Sequence, residues 1–385
     1  MKTVGIICEY NPFHRGHAAQ MAAIRQSFGA ETAVVCAMSG NFVQRGAPAV
    51  FDKYTRAAAA VACGADLVLE LPVPVALSSA EGYARGGVEL LDRLGVTDAL
   101  CFGCECGDGA ALMAAARAME APDFDEALRA RLAAGERYAA AKQAVLAERM
   151  GADILRRPND ILGAEYCRAL LRRESAIEVF AIPRGGDYHD PAPDAVNPSA
   201  TSVRERLRTG DWESFVPAAA AEIFRQAPQY RMEWGERALL ARLRAMTEDE
   251  WSRTAHGSEG LWSKMRTAAH EAATVEEILQ AAASKRYPMA RLRRLLLCAY
   301  LGITGDDLTA PMEEIRVLAL SERGRTVLKK SREQGTLRLL DAGERPAAGW
   351  EPERRYADLF TLFSTPEQPP LAAMEQNSRV SLRKK

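Results

Sequence analysis

Thr3-Val4-Gly5-Ile6-Ile7-Cys8-Glu9-Tyr10-Asn11-Pro12-Phe13-His14-Arg15-Gly16-His17 is the stretch whose reading decides the fold. Its first six residues form an apolar run of strand length, Asn11-Pro12 punctuates a turn, and the apolar stretch Ala18 to Ile24 reads as a helix. That order places His14 and His17 in the first turn of the helix. Free N–H groups and the positive end of the helix dipole favour anions there. Gly16, between the two imidazoles, lets a flat base or a phosphate approach the backbone closely. Imidazole donors at that position can stabilise charge growing on an α-phosphate under attack. Plain helix capping and half of a zinc site, which would need three or four ligands in all, remain open readings of the same residues.

Working outward, short apolar runs alternate with helical stretches. Val4–Ile7, Ala33–Met38, Asp66–Leu71, Ala99–Phe102 and Ile177–Ile182 read as strands. Ala18–Phe28, Thr55–Cys63, Glu81–Leu94, Ala110–Met119, Asp125–Arg149 and Leu162–Arg173 read as helices. The alternation predicts an α/β domain, a Rossmann-like parallel sheet with helices on both faces. Ligands of such sheets lie outside the carboxyl ends of the strands. The polar candidates each follow a strand: the histidines, Ser39-Gly40-Asn41-Phe42, Gly103 and Arg184.

Gly185 to Pro198 is rich in Gly, Pro and Asp and reads as a loop. Ser199-Ala200-Thr201-Ser202-Val203-Arg204 then opens another helix, where the hydroxyls either cap it or bind phosphate and Arg204 adds a forked cation. Beyond Trp212 the pattern becomes helical, in Arg237–Met246, Thr274–Ser284, Arg291–Leu301 and Met312–Leu320. The expectation is therefore an ATP-binding α/β domain over residues 1–210 and a mainly α-helical domain over residues 211–385, with a polar tail ending in Arg383-Lys384-Lys385.

A hydrophobic content of 48% with 26% charged residues is ordinary for a globular protein with real cores. The net charge of −1 excludes a globally basic nucleic-acid protein but not a local patch. Lys285, Arg286, Arg291, Arg293 and Arg294 have no acid near them in sequence between Glu277 and Asp306, and form a candidate RNA-phosphate surface or a solvated helix face. No stretch of eighteen apolar residues is free of charge, and Met1-Lys2-Thr3-Val4 runs directly into a strand, so a cytoplasmic location without membrane attachment is expected. Eight scattered cysteines imply buried thiols rather than a disulfide framework. Cys101-x-x-Cys104-x-Cys106 could take zinc with a histidine from elsewhere, but no second ligand pair at finger spacing accompanies it, and no metal is assigned.

Asn11-Pro12-Phe13-His14-x-Gly16-His17 together with Ser199-x-Thr201-x-x-Arg204 resembles the nucleotidyltransferase superfamily with the HIGH-type signature. A longer, collinear set resembles the bacterial tRNA(Met) cytidine acetate ligase family. It comprises Ser39-Gly40-Asn41-Phe42-Val43-Gln44-Arg45-Gly46, Asp52-Lys53-x-Thr55-Arg56-Ala57, Gly64-Ala65-Asp66-Leu67-Val68-Leu69-Glu70-Leu71-Pro72, Phe102-Gly103-x-Glu105, Pro158-Asn159-Asp160 and Tyr188-His189-Asp190. The resemblance implies a nucleotidyltransferase fold that activates acetate with ATP as acetyl-adenylate and transfers the acetyl group to N4 of the wobble cytidine of elongator tRNA(Met). It implies an ATP site made by Ile7, Cys8, Glu9, Tyr10, Asn11, Pro12, Phe13, His14, Arg15, Gly16, His17, Ala18, Ala19 and Gln20, with Gly103, Asn159, Arg184 and Ser199. His14, His17, Thr201 and Arg204 would be the catalytic groups, and Mg2+ would arrive on the ATP phosphates without a dedicated protein cage.

Gln44, Arg45, Lys53 and Arg56 are expected to face pyrophosphate or tRNA, or else solvent, and Phe13, Phe42 and Tyr188 to wall an acetate pocket. Cys101 and Cys104 stand where the resemblance leads one to expect small hydroxyl residues. The alternative is a small-molecule adenylyltransferase making a dinucleotide. An RNA-binding protein on an inactive nucleotide fold is disfavoured because His14, His17, Thr201 and Arg204 are all present. A class I aminoacyl-tRNA synthetase is disfavoured because no Lys-Met-Ser-Lys-Ser-like loop appears.

Overall fold

The computed structural model describes residues 1–151, 155–184, 198–341, 344, 351–371, 373–377 and 381–382. The Tyr188-His189-Asp190 motif and the basic end Arg383-Lys384-Lys385 lie outside the described residues. The first part of the chain runs β1 (Thr3–Cys8), α1 (Arg15–Phe28), β2 (Ala33–Ser39), a small hairpin of β3 (Phe42–Val43) and β4 (Ala47–Pro48), α2 (Lys53–Ala62), β5 (Leu67–Leu71), α3 (Val73–Ala76), α4 (Ala80–Arg93) and β6 (Ala99–Cys104). Then come α5 (Gly109–Met119), α6 (Phe124–Ala133), α7 (Tyr138–Met150), α8 (Pro158–Arg172), β7 (Glu178–Pro183) and α9 (Ala200–Thr209). The single helix expected over Asp125–Arg149 is two, α6 and α7. Between them Gly135 takes φ +89°, a left-handed turn that a continuing helix does not accommodate.

With β8 (Glu314–Leu320) and β10 (Ser381–Leu382) from late in the chain, the sheet runs β10-β8-β5-β2-β1-β6-β7, and β1 pairs in parallel with both β2 and β6. The chain builds outward from β1 through β2 to β5 and then returns to β6 on the other side, so the order reverses between β1 and β6. In such sheets the crevice beyond that reversal is where ligands bind. Strand alternation explains the two cores. Val4, Ile6 and Cys8, with Val34, Cys36 and Met38, pack on Met21 and Ile24 of α1 and Ala57 and Ala60 of α2. Ile7, Val35, Ala37, Leu69 and Phe102 pack the opposite face against α4, α5 and α8. Burial on both faces is why these strands read as continuous apolar runs.

The remaining helices are α10 (Ala218–Arg225), α11 (Glu236–Ala245), α12 (Glu248–Arg253), α13 (Leu261–Glu271), α14 (Val275–Ala282) and α15 (Met289–Leu301), followed beyond β8 by α16 (Glu322–Gln334), α17 (Glu351–Phe360) and the short α18 (Met374–Asn377). Helices α11 to α15 share a core with α17 that also takes in Phe42, Val73 and Leu77. One expectation is corrected: Met312–Leu320 is not a helix. Residues Glu314–Leu320 form β8, antiparallel to β5 with Leu67 opposite Leu320, and β9 (Arg338–Leu340) and β10 (Ser381–Leu382) pair with β8. A short apolar run carries no period that separates strand from helix, and here the open edge of β5 decides.

Candidate active site

His14 is the N-cap of α1, with extended backbone, and His17 lies three residues into the first turn. The His14 backbone N–H donates to Nδ1 of His17 at 3.2 Å. In the neutral ring that fixes Nε2 of His17 as the protonated nitrogen. The two imidazoles stack with centroids 3.6 Å apart, and Tyr10 stands edge-on to His17 at 4.7 Å. His14 is 2% exposed, yet neither of its ring nitrogens has a hydrogen-bond partner among the described residues. A buried polar group left unpaired is costly, so the orphaned ring nitrogens of His14 at this helix N-terminus make it a candidate ligand position.

Two guanidinium groups from distant elements supply the electrostatics. Burial first, then Arg184 and Arg204, lowers the His14 pKa to about 3, and burial, His14 and Arg184 hold His17 well below its usual range. Both rings are therefore neutral at pH 7, and the local positive charge comes from arginine. An unfolded imidazole near 6.5 binds its proton before the folded one does, so stability is level above pH 7 and falls as pH drops from about 6.5 toward 3. For His14 alone the loss approaches about 1.4 kcal/mol per pH unit. Denaturant unfolding at pH 7.5 and 5 should show this slope, with a shallower one in His14→Gln. Equal slopes would remove His14 from the acid response.

Arg204 comes from α9. It donates to the Asn11 carbonyl at 2.7 Å and to Oγ1 of Thr201 at 3.0 Å, which ties the sequence-distant Thr201 and Arg204 to the β1 loop. Ser199 caps α9, its hydroxyl accepting from the Ser202 N–H at 3.1 Å. On the other side of the reversal, Arg184 follows β7, donates its backbone N–H to the Cys104 carbonyl, and brings its guanidinium to 3.5 Å from the Asn159 side-chain oxygen. A Cβ at Gly103 would meet nothing closer than Arg184 at 3.8 Å, so internal packing does not demand glycine there. Gln20 donates to the Cys101 carbonyl at 3.4 Å. Arg15 and Ala19 are exposed, and Ala18 is half-buried.

Several expected site residues have other duties. Ile7 packs onto Gly87, and Cys8 lies in the core beside Tyr10 and Phe13. Phe13 packs on Tyr10, whereas Phe42 packs on Phe360 and Phe363 in the helical core, so these two rings do not wall one pocket, and Tyr188 lies outside the described residues. Lys53 and Arg56 face neither solvent nor an open crevice. Lys53 is 1% exposed and clasped by Glu70 at 2.6 Å and by Glu375, and Arg56 is fully buried on the carbonyls of Glu9, Ser39, Gly40 and Phe51. Their counter-groups come from elements far along the chain. Gln44 donates its backbone N–H to Glu9 at 2.7 Å, and Glu9 is held above the usual carboxylate range by burial against the opposing pull of Gln44, Arg204, Arg45 and Arg56.

Glu105 was missed as a site residue although its motif was visible. Its carboxylate accepts from the Asn159 side chain at 2.6 Å and from the Asp160 N–H at 2.9 Å, fixing the start of α8 against the end of β6. An acid directly after the end of β6, in the Phe102-Gly103-x-Glu105 motif, was the available signal.

A HIGH Nucleotidyl Transferase family model matches residues 1–361. The tRNA(Met) cytidine acetate ligase of Syntrophotalea carbinolica is 38% identical over 357 residues, spanning 88% of this chain and 84% of that protein. The protein of the same name from Acetivibrio thermocellus is 32% identical over 366 residues, 88% of each chain. The crystal structure of Thermotoga maritima TmcAL in its apo form superposes with a TM-score of 0.91 at 28% identity, covering 100% of both chains, and the form bound to alpha-thio ATP with a TM-score of 0.89. With a parallel sheet, a paired-imidazole helix start and full-length likeness in agreement, this chain belongs to the tRNA(Met) cytidine acetate ligase family of HIGH nucleotidyltransferases.

Proposed function

We propose that this protein activates acetate with ATP and acetylates N4 of the wobble cytidine of elongator tRNA(Met), in the cytoplasm. The observation that carries the reading is the neutral, stacked His14–His17 pair at the start of α1, with orphaned ring nitrogens and two arginines converging on it. A carboxylate oxygen of acetate attacks the α-phosphorus and the bond to the bridging oxygen breaks, releasing pyrophosphate. The cytidine N4 then attacks the acetyl carbon, AMP leaves with the C–O electron pair, and N4 loses a proton. No protein nucleophile is required, and catalysis is positioning plus stabilisation of phosphate charge. Asn159 and Gly103 would border the nucleotide, with Arg184 and Arg204 on its phosphates. Mg2+ would travel on those phosphates, since a hard cation takes oxygen ligands and this lining is mostly imidazole and guanidinium.

The test is exchange of labelled pyrophosphate into ATP, with and without tRNA, alongside mass spectrometry of tRNA nucleosides. Acetate-dependent exchange and N4-acetylcytidine are expected. No acetate dependence, together with adenylylation of a phosphorylated metabolite, would replace this reading with the small-molecule adenylyltransferase.

Residues 211–385 would hold the tRNA, and the structure sorts the basic cluster there. Arg286 and Arg291 pair with Glu259 at 3.1 and 3.2 Å, and Arg294 is half-buried and donates to the Gln44 carbonyl. Lys285 and Arg293 are exposed and make no ion pair with a described residue. They are the better phosphate contacts. Replacing each by Gln should flatten the dependence of log affinity on log salt by about 0.7–0.9, measured by tRNA filter binding over a salt series. An unchanged slope leaves a solvated helix face. No helix among the described residues is long and apolar enough to cross a membrane.

A further inference from the structure

We propose that Cys104, Cys106 and Asp160 form a site for a soft divalent cation of the zinc type, with a water or other exogenous group completing the tetrahedron. The three donor atoms lie within 4.8 Å of one another. The two sulfurs are 3.8 Å apart. Two thiolates each at ~2.3 Å from a tetrahedral zinc ion lie about 3.8 Å apart, whereas a disulfide needs about 2.05 Å. The spacing is that of a metal pair rather than of a bond waiting to close.

A tight turn after β6 brings the donors together. Cys104 ends β6, and the chain then turns through Gly107, whose φ of +66° is left-handed. That turn brings the Asp108 carbonyl to 3.7 Å from the Cys106 sulfur, where the Cys106 thiol donates to it. Metal binding would release the thiol protons, since the thiolate is the ligand form. Asp160 is 4% exposed, with one carboxylate oxygen accepting from the Cys106 N–H at 2.9 Å. Cys104 is fully buried and Cys106 exposed, so the site opens to solvent on the Cys106 side and leaves the fourth position accessible. Two thiolates and one carboxylate suit zinc or cadmium far better than magnesium or calcium.

Cys101 takes no part. It lies three residues before Cys104 on the same strand, so the pleat turns it to the opposite face, where Gln20 reaches its sulfur at 3.5 Å. The third donor instead comes from α8, 54 residues beyond Cys106. An ion here would clamp the end of β6 to the start of α8, the junction that Glu105 already closes through Asn159.

The experiment uses reduced, chelator-treated full-length protein titrated with Cd2+ alone and read by the ultraviolet thiolate-to-metal charge-transfer band. A band saturating at one ion per chain and displaced by Zn2+ is expected. Cys106→Ser, an exposed position that should leave folding unaffected, should weaken binding more than about a hundredfold, beyond what loss of an outer partner usually costs. Asp160→Asn should weaken it at least about tenfold, and Cys63→Ser, at the C-cap of α2, should titrate as the parent does. Zn2+ should also raise the melting temperature of the parent but not of Cys106→Ser. A missing band, equal affinity in Cys106→Ser, or a Cys104–Cys106 disulfide found by peptide mass spectrometry in the reduced protein would overturn the proposal.

Discussion

Replacing His14 or His17 by alanine should lower the acetate-dependent turnover by roughly 10²–10³-fold, because one oriented donor to a developing oxyanion contributes about 3–4 kcal/mol at the transition state. The geometry supports separate contributions. His14 offers ring nitrogens that nothing else in the described residues uses, and His17 is held by the His14 N–H so that its Nε2–H points away from the backbone. Because His14 is buried and the two rings stack, alanine leaves space as well as removing a donor, so His14→Gln and His17→Asn serve as companions that retain an amide donor. The loss should appear in kcat more than in the ATP KM, since charge on the phosphate grows only during attack. Activity within about threefold of the parent in the double alanine variant would remove both histidines from the chemistry, with circular dichroism confirming that the fold persists.

Lys53→Met should cost about 3–5 kcal/mol of stability, the penalty for stranding a buried charge without its partner. Lys53 is desolvated, which by itself would release its proton, but Glu375 and Glu70 outweigh burial and hold the ammonium charged. Glu375 stays ionised despite its burial because Lys53 and Arg316 face it, with Tyr54 donating to it at 2.9 Å. Glu353 is driven by burial, and by Glu70, to about 8, so at neutral pH it carries a proton. Removing the ammonium therefore leaves two carboxylates, at Glu70 and Glu375, without their shared counter-ion. A Lys53→Met/Glu70→Gln/Glu375→Gln variant should recover most of the loss, since replacing all partners of a buried ion cluster is often close to neutral. Denaturant midpoints at constant m-value give the comparison. A loss below about 1 kcal/mol combined with collapse of activity would return Lys53 to the reacting centre.

Much of the fold was legible because its signals are local. The apolar run of β1, the Pro-bearing turn and the helical stretch after His17 each follow from residues within one or two turns of one another, as does the strand-helix alternation through β7. The placement of the histidine pair at the start of α1 was legible for the same reason, whereas the stacking of its rings is set with Tyr10 and Phe13 packed around them. The contact of Arg204 with Asn11 was foreshadowed only by resemblance, because α9 reaches the loop after β1 through the tertiary fold.

What the sequence by itself determined is thus the parallel sheet, its polar carboxyl edge and the Pro-bearing turn with its two imidazoles, all encoded in short-range period and turn chemistry. Tertiary structure alone decided the rest. Glu314–Leu320 is a strand because β5 presents an open edge. Lys53 and Arg56 are internal because carboxylates and carbonyls from distant elements replace their water. Cys104 meets Asp160 rather than Cys101 because a strand turns successive side chains to opposite faces while α8 folds back over one of them. Charge pairing and donor convergence across many residues have no period along a chain, so only the packed elements could reveal them.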